Sequence, residues 1–443
     1  MNDDALLALD LVGAADALAA GDVGAVELTA AYLRRIEETE PGLNAYVTVD
    51  RDGATAQARA AQQEIARSGP RSRLHGIPVG VKDLFDTAAL RTTYGSVRFA
   101  DHVPGTDAAS VTALREAGAV VLGKHATHEF AWGGRTDNPH FGPTRNPWAY
   151  DRVPGGSSGG GGASVTARSS LLALGSDTAG SARIPAALCG CVGLKPSAGW
   201  LSTAGAYPLA PSLDHVGLLA RTVADVGTAY EALAGSGTVP SGDPAGLRVG
   251  WLVDGGAGAS PEVRAVCEPA RDSLAGRVGA VVDVDVPDLV GRAYAILTLV
   301  RDEAERIHRE AFAADPASYG PDLAELLGMG PVEGADLAAT RDAVARVKAW
   351  FAATLSQVDV LVSPTVPVVA PPIGAMTVCV GSEPEPIEPV LTRNTSLANV
   401  TGAPAVSVPV GPADGLPVGL QVLGRPSEEA IVLIAAAAAT SGL

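Results

Sequence analysis

Aromatic residues are scarce in this chain, and long uninterrupted apolar runs are missing. Only 4% of the residues are aromatic while 47% are hydrophobic, so alanine, valine and leucine must fill the core. No run of about 18 apolar residues occurs, and we therefore expect no membrane-spanning helix. The N-terminal segment MNDDALLALD is acidic where a secretory signal would be basic. These absences predict a cytoplasmic protein with a sizeable core.

Basic residues and cysteines are also few. The chain has 32 basic and 49 acidic residues and a net charge of −17, so we expect no binding to nucleic acid or to an anionic membrane. Four cysteines in 443 residues do not make a disulfide scaffold, which favours a reducing compartment. Cys189 and Cys191 form a C-x-C pair without a second Cys or His cluster. Two small packed side chains are favoured over a metal or redox site.

Strand-like and helix-like segments alternate with short connections, which predicts an α/β layered architecture. A clear unit is a strand over Leu247–Val253, a helix over Pro261–Leu274 and a strand over Ala280–Val286. The glycine-rich turn at 255–258 lacks the third glycine of a dinucleotide motif and the GK[ST] of a phosphate loop. We expect one domain over 1–443, in which residues 235–370 form a peripheral layer of helices and a βαβ unit.

Two glycine-rich bends stand out between Val153 and Pro196. GGSSGGGG holds Ser157, and DTAGS ends in Ser181. A Gly/Ser run is usually a flexible linker, but here a run of small apolar residues follows at once, over Ala163–Leu174. We expect this run to form one buried helix. Bends at its two ends would bring Ser157 and Ser181 towards each other.

A serine nucleophile needs a base within hydrogen-bonding reach. GGSSG around Ser157 matches G-x-S-x-G, and His215 lies downstream, so an α/β-hydrolase is one alternative. The residues before this motif, Asn146 to Pro154, have a loop pattern where that fold requires a buried strand. Lys82 is the better base, because its apolar neighbours should lower its pKa and leave a neutral amine.

Several motifs, in order along nearly the whole chain, resemble the amidase-signature family. They are HGIPVGVKDLFDT (His75–Thr87), HEFAWGGRTDNPHFGPTRNPW (His128–Trp148), GGSSGG and DTAGS within Val153–Pro196, SLDHVGLLARTVADV (Ser212–Val226), NVTGAPAVSVPVG (Asn399–Gly411) and GLPVGLQVLG (Gly415–Gly424). The resemblance is specific for the family and says little about the substrate. It implies an α/β fold in one large domain, with a mixed central sheet and helices on both faces.

The resemblance also implies a catalytic triad. Ser181 would be the nucleophile, Ser157 a bridging serine that follows a cis peptide from Gly156, and Lys82 the general base. Backbone N–H groups in the bend before and at Ser181 would stabilise the oxyanion; they belong to Thr178, Ala179, Gly180 and Ser181. Ala179 stands where the family usually has glycine, but only its backbone donor is needed.

Three residues within the motif His128–Trp148 match positions that line the acyl pocket in relatives: Ala131, Trp132 and Gly133. Trp132 could equally be a core residue. Arg183, two residues after Ser181, could bind a substrate carboxylate, but a structural ion pair with Asp177 is favoured.

The sequence therefore predicts an amidohydrolase that cleaves linear amide C–N bonds through an acyl-enzyme on Ser181. We expect a small-molecule amide as its binding partner and neither a metal nor an organic cofactor; a homodimer stays open. The alternative is a glutamine-hydrolysing amidotransferase A-like subunit, which would depend on partner chains. A silent binding protein is disfavoured because Lys82, Ser157 and Ser181 are all present.

Overall fold

A large mixed sheet forms the centre of the fold. The computed structural model describes residues 1–234, 242–253, 258–287 and 289–441. The strands in these ranges are β1 (Tyr46–Val49), β2 (Pro78–Lys82), β3 (Val120–His125), β4 (Asp137–Asn138), β5 (Gly142–Pro143), β6 (Leu172–Asp177), β7 (Val192–Lys195), β8 (His215–Ala220), β9 (Arg248–Leu252), β10 (Ala280–Val284), β11 (Val360–Pro364), β12 (Thr377–Cys379), β13 (Pro384–Pro386), β14 (Ala405–Ala413) and β15 (Leu416–Leu423). Eleven of them pair in the order β1-β3-β2-β6-β8-β7-β14-β15-β11-β9-β10.

Parallel and antiparallel pairs both occur in this sheet, as expected. β2 runs parallel to β3 and β6, and β9 runs parallel to β10 and β11. The middle of the sheet, from β6 through β8, β7, β14 and β15 to β11, is antiparallel. Every residue of β2, β3, β6 and β8 is buried, which is typical of strands covered on both faces.

Helices pack around the sheet. Those in the described ranges are α1 (Asp3–Ala8), α2 (Leu11–Ala20), α3 (Ala25–Leu43), α4 (Arg51–Ser68), α5 (Ala109–Glu116), α6 (Gly159–Thr166), α7 (Arg183–Cys189), α8 (Val223–Ala234), α9 (Pro261–Ala275), α10 (Leu289–Ala314), α11 (Pro321–Gly328), α12 (Gly334–Leu355), α13 (Ile387–Thr392), α14 (Ser396–Thr401) and α15 (Glu429–Thr440). None of the helices in these ranges has the length and apolarity needed to cross a bilayer.

The βαβ unit predicted from the sequence is present as β9, α9 and β10, and its strands extend one edge of the main sheet. Residues 255–257 of the glycine-rich turn lie outside the described residues. The proposal that 235–370 forms a peripheral layer stays a prediction.

The expected single helix over Ala163–Leu174 is wrong. Helix α6 ends at Thr166, the chain turns through Arg168 with φ +59°, and strand β6 begins at Leu172. Because β6 is buried on both faces, it lacks the alternation of polar and apolar residues that marks a strand. The bends that hold Ser157 and Ser181 therefore flank a helix and a strand, and not one helix.

Several aromatic side chains form a cluster beside the loop that precedes Ala131. Phe130 lies at its centre, with ring centroids 4.9 Å from Tyr207, 4.6 Å from His308 and 5.8 Å from Tyr319. The cluster connects the loop before Ala131 to α10 and to the segment that precedes α11. It fixes that loop against the helices that face it.

Candidate active site

Lys82 and Ser176 lie at the same edge of the sheet because β2 and β6 are parallel neighbours. Val79 pairs with Leu172 and Val81 with Leu174, so the carboxyl ends of both strands point the same way. Ligand and catalytic sites of α/β sheets usually form at such carboxyl ends. Lys82 is the last residue of β2, and Ser176 is the last but one of β6.

Lys82 donates two hydrogen bonds inside the protein. Its Nζ lies 2.6 Å from Ser157 Oγ and 2.7 Å from Ser176 Oγ, and only 1% of the residue is exposed. Burial lowers the pKa of Lys82 to about 7, although the charges of Asp177 and Asp214 oppose this shift. Near neutral pH, Lys82 is therefore a neutral amine, able to accept a proton, in a substantial fraction of the molecules.

Ser157 is held just before the start of α6. The peptide bond between Gly156 and Ser157 is cis, as the family resemblance implied. The carbonyl oxygen of Ser157 accepts hydrogen bonds from the backbone N–H of His128, at 3.2 Å, and from Thr127 Oγ1, at 3.0 Å. A Cβ on Gly156 would lie 2.6 Å from the backbone nitrogen of Arg135, so only glycine fits at that position.

Ser181 follows a tight bend at the end of β6. Gly180, the residue before it, has φ +127°, and a Cβ there would lie 2.3 Å from Thr395 Oγ1. The carbonyl oxygen of Ser181 accepts a hydrogen bond from the N–H of Ser158, at 3.1 Å, which connects the two serine-bearing bends directly. Ser181 is 7% exposed and Ser157 is fully buried.

The Asp177 carboxylate shapes this bend. It accepts hydrogen bonds from the N–H groups of Gly180, at 2.9 Å, and Ala182, at 3.2 Å. Arg183 donates to the same carboxylate from Nε, at 3.1 Å, and from Nη2, at 2.9 Å. Burial alone would raise the pKa of Asp177, but the charge and hydrogen bonds of Arg183, with Lys195 and Asn399, lower it well below its usual range. The structural ion pair expected for Arg183 is present.

Arg183 is fully buried and has no group left for a substrate. Its Nη1 donates to the carbonyl oxygen of Thr395, at 2.8 Å, and to Gln421 Oε1, at 3.0 Å. Its Nη2 also donates to Asn399 Oδ1, at 2.8 Å. These bonds satisfy the guanidinium inside the protein, so Arg183 stabilises the bend and does not line the cavity.

The backbone donors of the bend differ in availability. Gly180 N–H already donates to Asp177, in contrast to its expected role as an oxyanion donor. Within the described part of the chain, the N–H groups of Thr178, Ala179 and Ser181 have no acceptor. Three donors in one bend can receive an oxyanion that forms beside Ser181.

A cavity of about 590 Å³, here called the front cavity, opens in front of Ser181. Its wall includes five other residues singled out in the sequence, which are Ala131, Trp132, Gly133, Thr178 and Ala179. Most of the remaining lining side chains are apolar; they are Ile184, Leu209, Tyr294, Leu297, Val300, Leu326, Met329, Met376, Pro386 and Pro389. A cavity of this size and lining fits a small organic substrate.

One wall of the front cavity is charged. Arg135 donates from Nη2 to Asp322 Oδ2, at 2.6 Å, and its Nε lies 3.3 Å from Glu388 Oε1. Glu388 also accepts a hydrogen bond from Gly134 N–H, at 2.8 Å. Neighbouring His128 and Arg135 lower the pKa of Asp322 to about 2, so this carboxylate is ionised. These contacts hold the loop after Ala131 in position.

The sequence did not single out Ser176, although it is the second partner of Lys82. Two features could have pointed to Ser176: it directly precedes Asp177 of the DTAGS motif, and it lies at the end of β6, the strand that pairs with β2. The described residues contain no group of three or more His, Cys, Asp or Glu side chains that could hold a metal ion.

Known proteins share the sequence pattern and the fold of this chain. The family model described as Amidase matches residues 27–433. The glutamyl-tRNA(Gln) amidotransferase A-subunit of Roseiflexus sp. (strain RS-1) is 37% identical over 96% of this chain and 94% of its own length. A crystal structure of an amidase, 34% identical, superposes with a TM-score of 0.90 over 97% of this chain and 99% of that one.

A related crystal structure is that of the glutamyl-tRNA(Gln) amidotransferase A-subunit from Thermotoga maritima. It is 28% identical and has a TM-score of 0.76, covering 99% of this chain and 94% of that one. The α/β fold, the ordered motifs and the family match point to the same conclusion. This chain belongs to the amidase-signature family.

Proposed function

We propose that this protein hydrolyses a carboxamide C–N bond through an acyl-enzyme on Ser181, with Ser157 and Lys82 relaying the proton. The observation that carries the proposal is the buried contact of 2.6 Å between Lys82 Nζ and Ser157 Oγ, next to the bend that presents Ser181 to the front cavity. Membership of the amidase-signature family supports hydrolysis of an amide bond.

In the acylation step, neutral Lys82 accepts a proton from Ser157 while Ser157 accepts one from Ser181. Ser181 Oγ attacks the carbonyl carbon, and the oxyanion is stabilised by N–H groups of Thr178, Ala179 and Ser181. The relay then returns the proton to the nitrogen of the leaving group, and ammonia or an amine departs. Water hydrolyses the acyl-enzyme through the same relay and releases the acid.

The composition of the front cavity favours an acyl group that is largely apolar. Its lining is dominated by aliphatic side chains, methionines and prolines, with Trp132 and Tyr294 as its aromatic members. The guanidinium of Arg135 is engaged by Asp322, Glu388 and Asp137, and therefore offers little attraction to a substrate carboxylate. Arg301, the other guanidinium in the wall, contacts Met329 Sδ at 3.5 Å and is the group that a polar end of the substrate could reach. The overall fold supports a free-standing amidase over an amidotransferase subunit. The amidase crystal structure superposes on this chain with a TM-score of 0.90, against 0.76 for the Thermotoga amidotransferase chain.

A second candidate is a glutamine-hydrolysing, amidotransferase A-like subunit. The curated relatives favour it over the free-standing amidohydrolase, because the Roseiflexus protein and several others carry that name at 34–37% identity over nearly the whole chain. Such a protein would pass ammonia to a partner chain. Both candidates use the same Ser181 chemistry and differ in the acyl group and in the need for a partner.

Labelling tests the nucleophile. A fluorophosphonate should add its mass to the peptide that contains Ser181, and Ser181→Ala should abolish both labelling and amide hydrolysis. Ser170→Ala is the matched control, because Ser170 is also buried but contacts Ser164 away from Lys82. An active Ser181→Ala enzyme, or labelling at Ser157, would contradict the assignment.

Ammonia release separates the two candidates. The purified chain should hydrolyse small aliphatic and aryl amides faster than glutamine if it acts alone. Measurable glutamine hydrolysis that appears only after partner chains are co-expressed, with no activity on simple amides, would establish the amidotransferase alternative.

A further inference from the structure

A second, smaller cavity reaches Ser176, the other hydrogen-bond partner of Lys82. We call it the rear cavity; its volume is about 60 Å³, and it shares no lining residue with the front cavity. Its lining residues are Leu84, Phe85, Ser176, Thr203, Ala206, Tyr207, Pro208, Pro211, Asp214 and His215. Lys82 therefore contacts one serine that serves Ser181 and another that lines a separate space.

The rear cavity is suited to hold water. It exceeds the roughly 10–15 Å³ that one water molecule requires, and polar groups are present in its wall. His215 Nε2 is buried without a hydrogen-bond partner in the described structure, while Nδ1 contacts the carbonyl oxygen of Leu213, at 2.6 Å. Asp214 adds a carboxylate that is already fixed by Thr178, Leu209 and Ala210. A water beside Ser176 and His215 would satisfy the orphaned nitrogen.

The rear cavity also leads to the surface. Thr203 and Pro211 in its wall are exposed, whereas Ser176 and His215 retain only 6% exposure each. A path therefore runs from solvent past Thr203 and Pro211 to Ser176, and from there over 2.7 Å to Lys82 Nζ. This path does not pass Ser181 or the front cavity.

We propose that the rear cavity is a water-filled passage through which Lys82 exchanges its proton with solvent while a substrate fills the front cavity, with Ser176 as the connecting hydroxyl. The proposal rests on the proposed function, in which Lys82 must be neutral to act as the base. Charged Lys82 gives a proton to Ser176 Oγ, and Ser176 passes its hydroxyl proton to a cavity water. The resulting hydronium ion leaves to solvent, and Lys82 is left as the amine.

The need for such a passage follows from the surroundings of Lys82. The charged side chains facing it are Asp177, from β6, and Asp214, from the loop before β8, and both favour its ammonium form. A substrate that binds while Lys82 is charged would otherwise have to dissociate before the enzyme could react. Exchange through the rear cavity turns this complex into a productive one.

Filling the rear cavity tests the passage without touching Lys82. Ala206→Leu should lower kcat at least about fivefold near pH 6, where Lys82 is mostly charged, and leave kcat near pH 9 unchanged. Ala204→Leu is the matched control: it makes the same change two residues away, at an exposed position outside the cavity wall. An equal loss at both pH values, or none, would overturn the proposal.

Ser176→Ala supplies a second measurement that does not depend on Ala206→Leu folding. If Ser176 only accepts a hydrogen bond from Lys82, its removal disfavours the ammonium form, and kcat near pH 6 should rise. If Ser176 relays the proton, kcat near pH 6 should fall, and a small diffusible base such as imidazole should restore part of it. The rise would contradict the proposal.

The outcome can be separated from that of the proposed function. The proposed function requires that the activity of the unmodified enzyme rises with pH and that Lys82→Ala removes this rise. If either is not observed, the proposed function is contradicted. If the unmodified enzyme shows this rise, but Ala206→Leu and Ser176→Ala leave kcat near pH 6 unchanged, only the passage is contradicted.

Discussion

Arg183 and Asp177 form a two-point ion pair from which solvent is fully excluded. Nε and Nη2 of the guanidinium lie 3.1 and 2.9 Å from the two carboxylate oxygens, and neither side chain has any exposed surface. The same carboxylate holds the N–H of Gly180, one residue before Ser181. The conformation of the bend therefore depends on a charge pair that never contacts the substrate.

Replacing Arg183 by lysine should destabilise the protein and reduce its activity together. Lysine keeps the charge but cannot make the two-point contact or reach all the other acceptors of Arg183, and each buried acceptor left without a donor costs about 1–3 kcal/mol. Urea unfolding and ammonia release measure the two effects. Arg34→Lys is the control, because its ion pair with Asp3 is about half exposed and its replacement should leave the free energy of unfolding nearly unchanged. Unchanged unfolding of Arg183→Lys would contradict this role.

Gly180→Ala should inactivate the enzyme while Ala179→Gly should not. The new methyl group would lie 2.3 Å from Thr395 Oγ1 at a residue with φ +127°, so the bend must shift and displace Ser181. We expect kcat/KM to fall at least about a hundredfold. Ala179→Gly keeps the backbone donor and removes only one methyl group. Comparable losses in both variants would show that the bend tolerates no change at all, and would refute the argument from the Gly180 contact.

The activity should rise with pH through the titration of Lys82. Raising the pH removes the proton from Lys82, and burial has lowered this pKa from its ordinary value to about 7. The rising limb of kcat/KM should therefore lie near neutrality, far below the ~10.4 of an unperturbed lysine. Because the two serines are coupled to the amine, the limb belongs to the Lys82–Ser157–Ser181 unit.

Lys82→Ala should remove this limb and impair amides far more than esters. An amine leaving group needs the relayed proton, and an alkoxide needs it less. Amide and ester substrates with the same acyl group decide the matter. Equal losses for the two substrates would mean that Lys82 is only structural.

His215→Ala should keep most of the activity near pH 9. Burial lowers the pKa of His215 to about 4, and its Nδ1 contacts the carbonyl oxygen of Leu213, while Lys82 occupies the position of the base at Ser157. A loss of about a thousandfold, the scale of removing a triad base, would revive the α/β-hydrolase alternative.

The sequence predicts much of the site because its main parts lie in short local motifs. Lys82 follows an apolar strand, and Ser157 and Ser181 sit in glycine-rich bends that can be recognised without tertiary information. The pair of Arg183 with Asp177, favoured by the sequence, and the cis peptide at Ser157, implied by the family resemblance, are both present. The assignment of catalytic roles to these residues stays a prediction.

Contacts made by distant segments could not be predicted in this way. Asn399, on α14, and Gln421, on β15, contact Arg183 from more than two hundred residues further along the chain, and only the tertiary fold brings them there. Ser176 could not be singled out because it directly follows the run Ala163–Leu174, which the sequence predicts as helix, so the strand that ends beside Lys82 was not expected there. A strand buried on both faces gives no periodic signal at its end.

The contacts of Arg183 have a consequence for synthesis of the chain. Lys82 lies on β2, near the start of the chain, whereas Gln421 lies on β15, near its end. The ribosome therefore synthesises the general base long before the last hydrogen-bond partner of Arg183. A nascent chain still attached to the ribosome cannot satisfy the Arg183 guanidinium until β15 has emerged and paired. Catalytic competence should therefore arise in one late step, when the final hairpin of β14 and β15 enters the sheet, and not gradually as the motifs appear.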